Sequence, residues 1–231
     1  MVDTIRKNVP VLLLLDQSGS MAGEYGNARK IDKLNEGVSA FCEDLLKHGK
    51  GSDRKYTLRI LSFDGECHEQ RLSTVGGKFV PLEEIRGRIP RIINTKYSTA
   101  IGAAIAQGIS DLQEEKESLS AHDIPYKQPV LVLFTDGKQE FEDIEILTSS
   151  IAKAREKIAE GWCIVVVGTG MTAEYKQILS GMMTPSVNNG EVLECSTAAD
   201  IPQKLKLVSR SVSVLPLNAK DVKKVLTRKM S

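Results

Sequence analysis

Apolar residues in this chain follow two patterns: short unbroken runs, and positions recurring at three- and four-residue steps. The strongest runs are Val11-Leu12-Leu13-Leu14-Leu15 and Val130-Leu131-Val132-Leu133-Phe134. Neither alternates with polar residues, and both are too short to cross a membrane. Each therefore reads as a strand buried on both faces, as at the centre of a parallel sheet. Residues 56–63 and 162–167 form further strands, and 192–195 a shorter one. The stepped pattern marks helices. Residues 27–47 align Ile31, Leu34, Val38, Phe41 and Leu45 on one face, and residues 100–117 align Ile101, Ile105, Ile109 and Leu112. Residues 142–160 align Ile144, Leu147, Ile151, Ala154 and Ile158, and residues 198–212 align Ile201, Leu205, Val208 and Val212. A short helix is expected at 172–179.

Turn chemistry separates these elements. Gly49 and Gly51 stop the first helix, with Lys47 and His48 suiting its carboxyl end. Asp64-Gly65 reads as a hairpin turn, so residues 67–74 form a short antiparallel edge strand. Residues 76–90 are turn-rich, with room for a short helix near 82–86. Residues 114–122 read as a solvated helix end and loop. Gly102 and Gly108 weaken the second long helix but allow close packing on the sheet. Acidic residues crowd the start of the helix at 142–160, as its dipole prefers, and Gly161 ends it. Strands and helices alternate throughout, which predicts an α/β fold: a mostly parallel sheet, made mixed by the hairpin, with helices on both faces.

The 231-residue length and 41% apolar content suit one full-sized core, assigned to residues 8–213. Residues 214–231 form a basic tail, with Lys220, Lys223, Lys224, Arg228 and Lys229 against Asp221 alone. The net charge of +1 gives no global field for nucleic acid or an anionic membrane. The first apolar run lacks a signal-peptide cleavage site, so a cytoplasmic location is expected. Cys42, Cys163 and Cys195 sit among apolar residues or at strand ends and read as small buried hydrophobes in a reducing compartment. No cysteine pair has zinc-site spacing, and the adjacent Cys67 and His68 read as incidental.

Candidate chemistry lies where the two strongest strands end. Asp16-Gln17-Ser18-Gly19-Ser20 follows the first, and Thr135-Asp136-Gly137 the second. Each alone would pass for a plain turn. In a doubly wound sheet, however, ligands bind at the carboxyl ends of the strands where strand order reverses. Two central strands lying side by side would bring both loops to that crest. The Tyr97-Ser98-Thr99 loop should join them there. Two carboxylates and three or more hydroxyls suit a hard cation: octahedral Mg²⁺ or Mn²⁺ ahead of Ca²⁺, which takes more ligands. If one carboxylate binds only through water, the ion stays electron-poor, and an open position would accept an Asp or Glu side chain from a protein partner.

Asp16-x-Ser18-x-Ser20, Thr99 in Ser-Thr-Ala-Ile-Gly-Ala-Ala-Ile, and Thr135-Asp136-Gly137 occur in the order found in von Willebrand factor A domains. Over residues 8–213 the chain resembles that family and its metal-ion-dependent adhesion site. The resemblance implies a Rossmann-like three-layer fold, with a six-stranded sheet carrying one antiparallel edge strand. It implies that Ser18, Ser20 and Thr99 ligate by hydroxyl, and that Asp16 and Asp136 bind directly or through water. The family often places Gly-Gly before the threonine. Here Tyr97-Ser98 stands there, which leaves Ser98 as an alternative to Thr99. In its compact form the chain also resembles TerY-type proteins of bacterial tellurium-resistance and stress-response clusters. An oxygen-donor crest with an open position and no catalytic base predicts an adaptor there rather than an enzyme. Some TerY-like chains add a carboxyl-terminal metal-binding module, which a tail without Cys or His would lack.

The rival class is a Mg²⁺-dependent phosphatase of haloacid-dehalogenase type. That chemistry needs a second carboxylate two residues after the first, a position held here by Ser18. Gly168-Thr169-Gly170 follows a strand, but Ala173 stands where a dinucleotide fingerprint needs its third glycine.

Overall fold

The computed structural model describes residues 5–72, 77–95, 97–137, 142–183 and 190–214. Among these residues seven strands form one sheet: β1 (Lys7–Asp16), β2 (Arg54–Phe63), β3 (Cys67–Gln70), β4 (Val80–Pro81), β5 (Val130–Thr135), β6 (Cys163–Thr169) and β7 (Gly190–Cys195). Their order is β3-β2-β1-β5-β6-β7, with β4 also on β2. β1, β2, β5, β6 and β7 are parallel, whereas β3 and β4 run antiparallel to β2. Six strands match the expected sheet, and β4 is a two-residue addition. The expected edge strand at 67–74 closes at Gln70; residues 73–76 lie outside the described ones.

Unbroken apolar runs arise because each central strand feeds two cores at once. In β1, Val9, Val11, Leu13 and Leu15 enter one core; Leu12 and Leu14 enter the other. β5 divides the same way, Val132 and Phe134 against Leu131 and Leu133. The first core is closed by α1 (Lys30–Gly49) and α5 (Ile201–Val214), through Leu34, Phe41, Leu205 and Val208. The second is closed by α2 (Ile101–Ala121) and α3 (Ile144–Ala159), through Ile105, Leu112, Leu147 and Ile151. α4 (Ala173–Ser180) adds Leu179 to that second core. The result is a three-layer α/β domain.

Several boundaries differ from the sequence expectation. α1 begins at Lys30, because a 3₁₀ turn (Gly19–Ala22) and an irregular stretch containing Gly26 at φ 74° come first. α2 continues to Ala121, where buried Leu119 holds a turn expected to be solvated. Residues 82–87 form turns rather than a helix. The expected close approach of α2 is present: a Cβ on Gly108 would lie 3.1 Å from both Leu131 and Leu14. Of the basic tail expected at 214–231, residues 215–231 lie outside the described ones.

β1 pairs Leu15 with Phe134 of β5, and Asp16 with Phe63 of β2. Three strands therefore end level. The chain adds β2 on one side of β1 and β5 on the other, so strand order reverses at the β1/β5 boundary.

Candidate metal centre

Asp16 closes β1 with its side chain fully buried. Its Oδ1 accepts the Ser18 backbone N–H at 2.9 Å, and its Oδ2 accepts the Thr135 hydroxyl at 2.7 Å. Thr135 Oγ1 in turn accepts the Gly137 N–H at 2.9 Å. Gly137 has φ 71°, and a Cβ there would meet Met171 at 2.9 Å, so both conformation and space favour glycine. Ser18 Oγ and Ser20 Oγ lie 3.0 Å apart, and Asp136 is buried immediately after β5. Burial, and next the neighbouring Asp136 charge, push Asp16 up to about 6 against the pull of its Ser18 and Thr135 hydrogen bonds.

The third loop is tied to the first by its backbone. Gln17 C=O accepts Thr95 N–H at 2.7 Å, and Tyr97 C=O accepts Gly19 N–H at 3.1 Å. Thr99 is buried just before α2. Ser98 is only half-buried, its Oγ 3.6 Å from where a Cβ on Gly65 would sit, toward the β2–β3 turn. Of the two residues, Thr99 is the more deeply buried. All five expected residues thus stand on three loops at one end of the β1/β5 boundary.

Three residues with no clear sequence signal complete the crest. Asp64 sits in the β2–β3 turn, as expected, but its carboxylate is also a hub. Oδ2 accepts Gln17 Nε2 at 3.2 Å and Thr95 Oγ1 at 2.9 Å; Oδ1 accepts the Glu66 N–H at 3.1 Å and lies 2.9 Å from His68 Nε2. Burial raises its proton affinity, but the four partners outweigh it and hold Asp64 below the usual carboxylate range. Asp64→Ala would leave Gln17 and Thr95 without this acceptor and is expected to cost about 2–3 kcal/mol, read by urea denaturation. An unchanged midpoint would show that the hub is dispensable.

The second is Glu142. Expected to serve its own helix, it reaches across to α2 and accepts Gly102 N–H at 2.7 Å and Ala103 N–H at 2.6 Å. Asp143 takes over as N-cap of α3, accepting Glu145 N–H at 3.0 Å. The third is Lys30, the first residue of α1, whose buried Nζ lies 2.7 Å from Asp136 Oδ2. Nothing in an amphipathic helix start distinguishes that lysine from a solvated one.

Among the described residues, no group of three or more His, Cys, Asp or Glu could hold a metal ion. A cation at the crest would thus rely on hydroxyl oxygens beside two carboxylates. The Ser18–Ser20 pair and the fixed Asp16 carboxylate fit such a donor set, whereas Lys30 brings a positive charge onto one of its acids. Ser18, two residues after Asp16, offers no acid/base carboxylate, and the haloacid-dehalogenase alternative finds no support. The Cys42 and Cys163 thiols are pushed up to about 12 by burial, as expected of packing residues. Met171 fills the space beside Gly168, where a Cβ would meet it at 2.0 Å, so this glycine serves packing.

Layering and crest together define the class: a doubly wound α/β domain with oxygen donors at its switch point. A family model of the von Willebrand factor type A domain matches residues 11–139, more than half of the 231 residues, and the chain belongs to that family. A comparison with curated proteins finds no match. Among solved structures, the PilB minor pilin from Streptococcus sanguinis is similar at 14% identity and TM-score 0.58, over 90% of this chain and 62% of that one. A von Willebrand factor type A structure from Catenulispora acidiphila is similar at 18% and 0.59, over 90% and 43%. Proximal thread matrix protein 1 from the mussel byssus is similar at 21% and 0.55, over 89% and 48%. The chain spans from 43% to 62% of those three chains, and identities this low speak for the fold alone. Domains of this family are generally protein-interaction modules, and no helix among the described residues is long and apolar enough to cross a membrane.

Proposed function

We propose that this chain is a metal-dependent protein-binding module rather than an enzyme. In this reading Asp16, Ser18, Ser20, Thr99 and Asp136 hold Mg²⁺ or Mn²⁺, with Ca²⁺ the poorer fit, in the manner of a metal-ion-dependent adhesion site. The bound ion would supply an electron-poor position for an Asp or Glu side chain of the partner. The observation that carries the reading is the Asp16 carboxylate, held at both oxygens beside two hydroxyls 3.0 Å apart. A cytoplasmic adaptor in a bacterial tellurium-resistance, stress-response or defence system is the setting we propose. That setting rests on the resemblance of the chain's compact form to TerY-type proteins.

Calorimetric titration of the full chain with Mg²⁺ and Mn²⁺ tests the metal. Wild-type protein should gain about 2.7 kcal/mol of stability at a hundredfold excess over the dissociation constant, and Asp16→Ala should gain none. Equal affinities in the two proteins would refute the assignment. Protons compete for the same carboxylate. Asp16 is ionised above about 6, so affinity should fall as pH is lowered through that value. Capture of a partner in the presence of metal and its release by chelator would then test the interaction itself.

A further inference from the structure

We propose that Lys30 is a built-in cation of the crest: its ammonium supplies at Asp136 the positive charge a divalent ion would otherwise supply, and any such ion binds against it. The proposal rests on the metal-site reading above and concerns how that site is regulated. Lys30 Nζ lies 2.7 Å from Asp136 Oδ2, and both residues are buried. Everything else about the position disfavours a lysine. Buried lysines are rare and need a paired anion. Lys30 is also the first residue of α1, where the helix dipole repels positive charge. Its N-cap, Arg29, makes no side-chain cap hydrogen bond that would offset this.

What keeps the ammonium there is the acidic charge of the crest. Asp16 Oδ2 accepts the Thr135 hydroxyl at 2.7 Å and Asp136 is the next residue along the chain, so two buried carboxylates share one strand boundary. Without a metal, two buried carboxylates at one strand boundary would repel each other. One ammonium leaves a single net negative charge. A divalent ion reaching Asp136 would share that carboxylate with Lys30 and be repelled by it. The crest therefore stays assembled without metal, and metal affinity is set by how readily Lys30 yields.

Titration with Mn²⁺ and with Mg²⁺ alone, on the full chain, decides the matter. Lys30→Met should bind Mn²⁺ at least about tenfold more tightly than wild type, the change expected when one nearby repulsive charge is removed. Its melting temperature without metal should fall, and Mn²⁺ should raise it by more than it raises the wild type. Should Lys30→Met fail to fold, Lys30→Gln removes the charge while keeping an N–H donor for Asp136. A purely structural ion pair would lower the melting temperature without tightening the metal. If wild type binds Mn²⁺ and the variants bind it equally or more weakly, the inference is overturned and the metal site stands. If neither wild type nor variant binds any divalent ion, both fall together. Binding by the variant alone would support the inference most directly.

Discussion

Replacing Asp136 by alanine should lower the unfolding free energy of the metal-free protein by about 3–5 kcal/mol, because it strands the buried Lys30 ammonium. A paired buried charge contributes little net stability; an unpaired one costs heavily. The other crest carboxylate should behave in the opposite way. Asp16 carries a folded-state pKa of about 6 against an ordinary 3.8, so the native state holds its proton more tightly than the unfolded chain does. The cost of the ionised form is fully present above about 6 and is relieved as pH falls from there toward 3.8. Two pH units correspond to a ceiling of about 3 kcal/mol. Asp16→Asn, neutral at every pH, should thus match or exceed wild-type stability near neutrality. Its oxygen can still accept the Ser18 N–H. The advantage should vanish near pH 4. Urea denaturation across this range, without metal, measures both variants. A harmless Asp136→Ala would mean that Lys30 finds water instead.

The second large effect is expected where α2 packs against α3. In an exposed helix, Gly→Ala gains about 1 kcal/mol from propensity alone. At Gly102 a Cβ would lie 2.6 Å from Leu147 Cα and 2.8 Å from Leu147 N, both backbone atoms that no side-chain rotation can clear. α2 and α3 would have to separate, opening the core that Leu147 and Ile151 close. The Glu142 carboxylate, 3.0 Å from the same Cβ, would lose its seat on the Gly102 and Ala103 N–H groups. Overpacking of this kind costs about 1–3 kcal/mol, and more where backbone must shift. The loss of a helix cap adds about 1 kcal/mol. Gly102→Ala should therefore destabilise by about 3 kcal/mol, the reverse of the propensity rule. A raised thermal midpoint would sink the idea that this glycine exists for helix contact.

The elements that could be read from sequence are those whose signal is local. Val11–Leu15 and Val130–Phe134 announce themselves because a strand between two helix layers has no polar face to alternate. Once those two strands are central neighbours, the approach of Asp16 to Asp136 follows from topology. The three-layer architecture, the helices and the antiparallel edge follow from the same periodicities. Lys30 could not be read this way, because its identity as a buried residue depends on a partner 106 positions away. Asp64 was half legible: its turn role is local, whereas its bonds to Gln17 and Thr95 exist only when three loops are already packed. Glu142 looked like part of its own helix start because charge near a helix end has no address in sequence. The last turns of α2 were lost for a related reason. Leu119 is the one large apolar residue in a charged and polar stretch, and only its burial shows that the helix continues.

β1 is leucine on both faces, and this bears on how the strand finds its place. Sliding Leu12–Leu15 along by one position would still bury aliphatic side chains above and below the sheet, so greasy contact alone tells the strand little about where to stop. The polar terminus does tell it: only one alignment lets Asp16 meet the Thr135 hydroxyl across the neighbouring strand. The same handful of atoms that could serve a partner thus also works as an indexing pin during assembly. A lengthened or shortened β1 should betray itself first as a misaligned crest, in a domain that still buries its leucines.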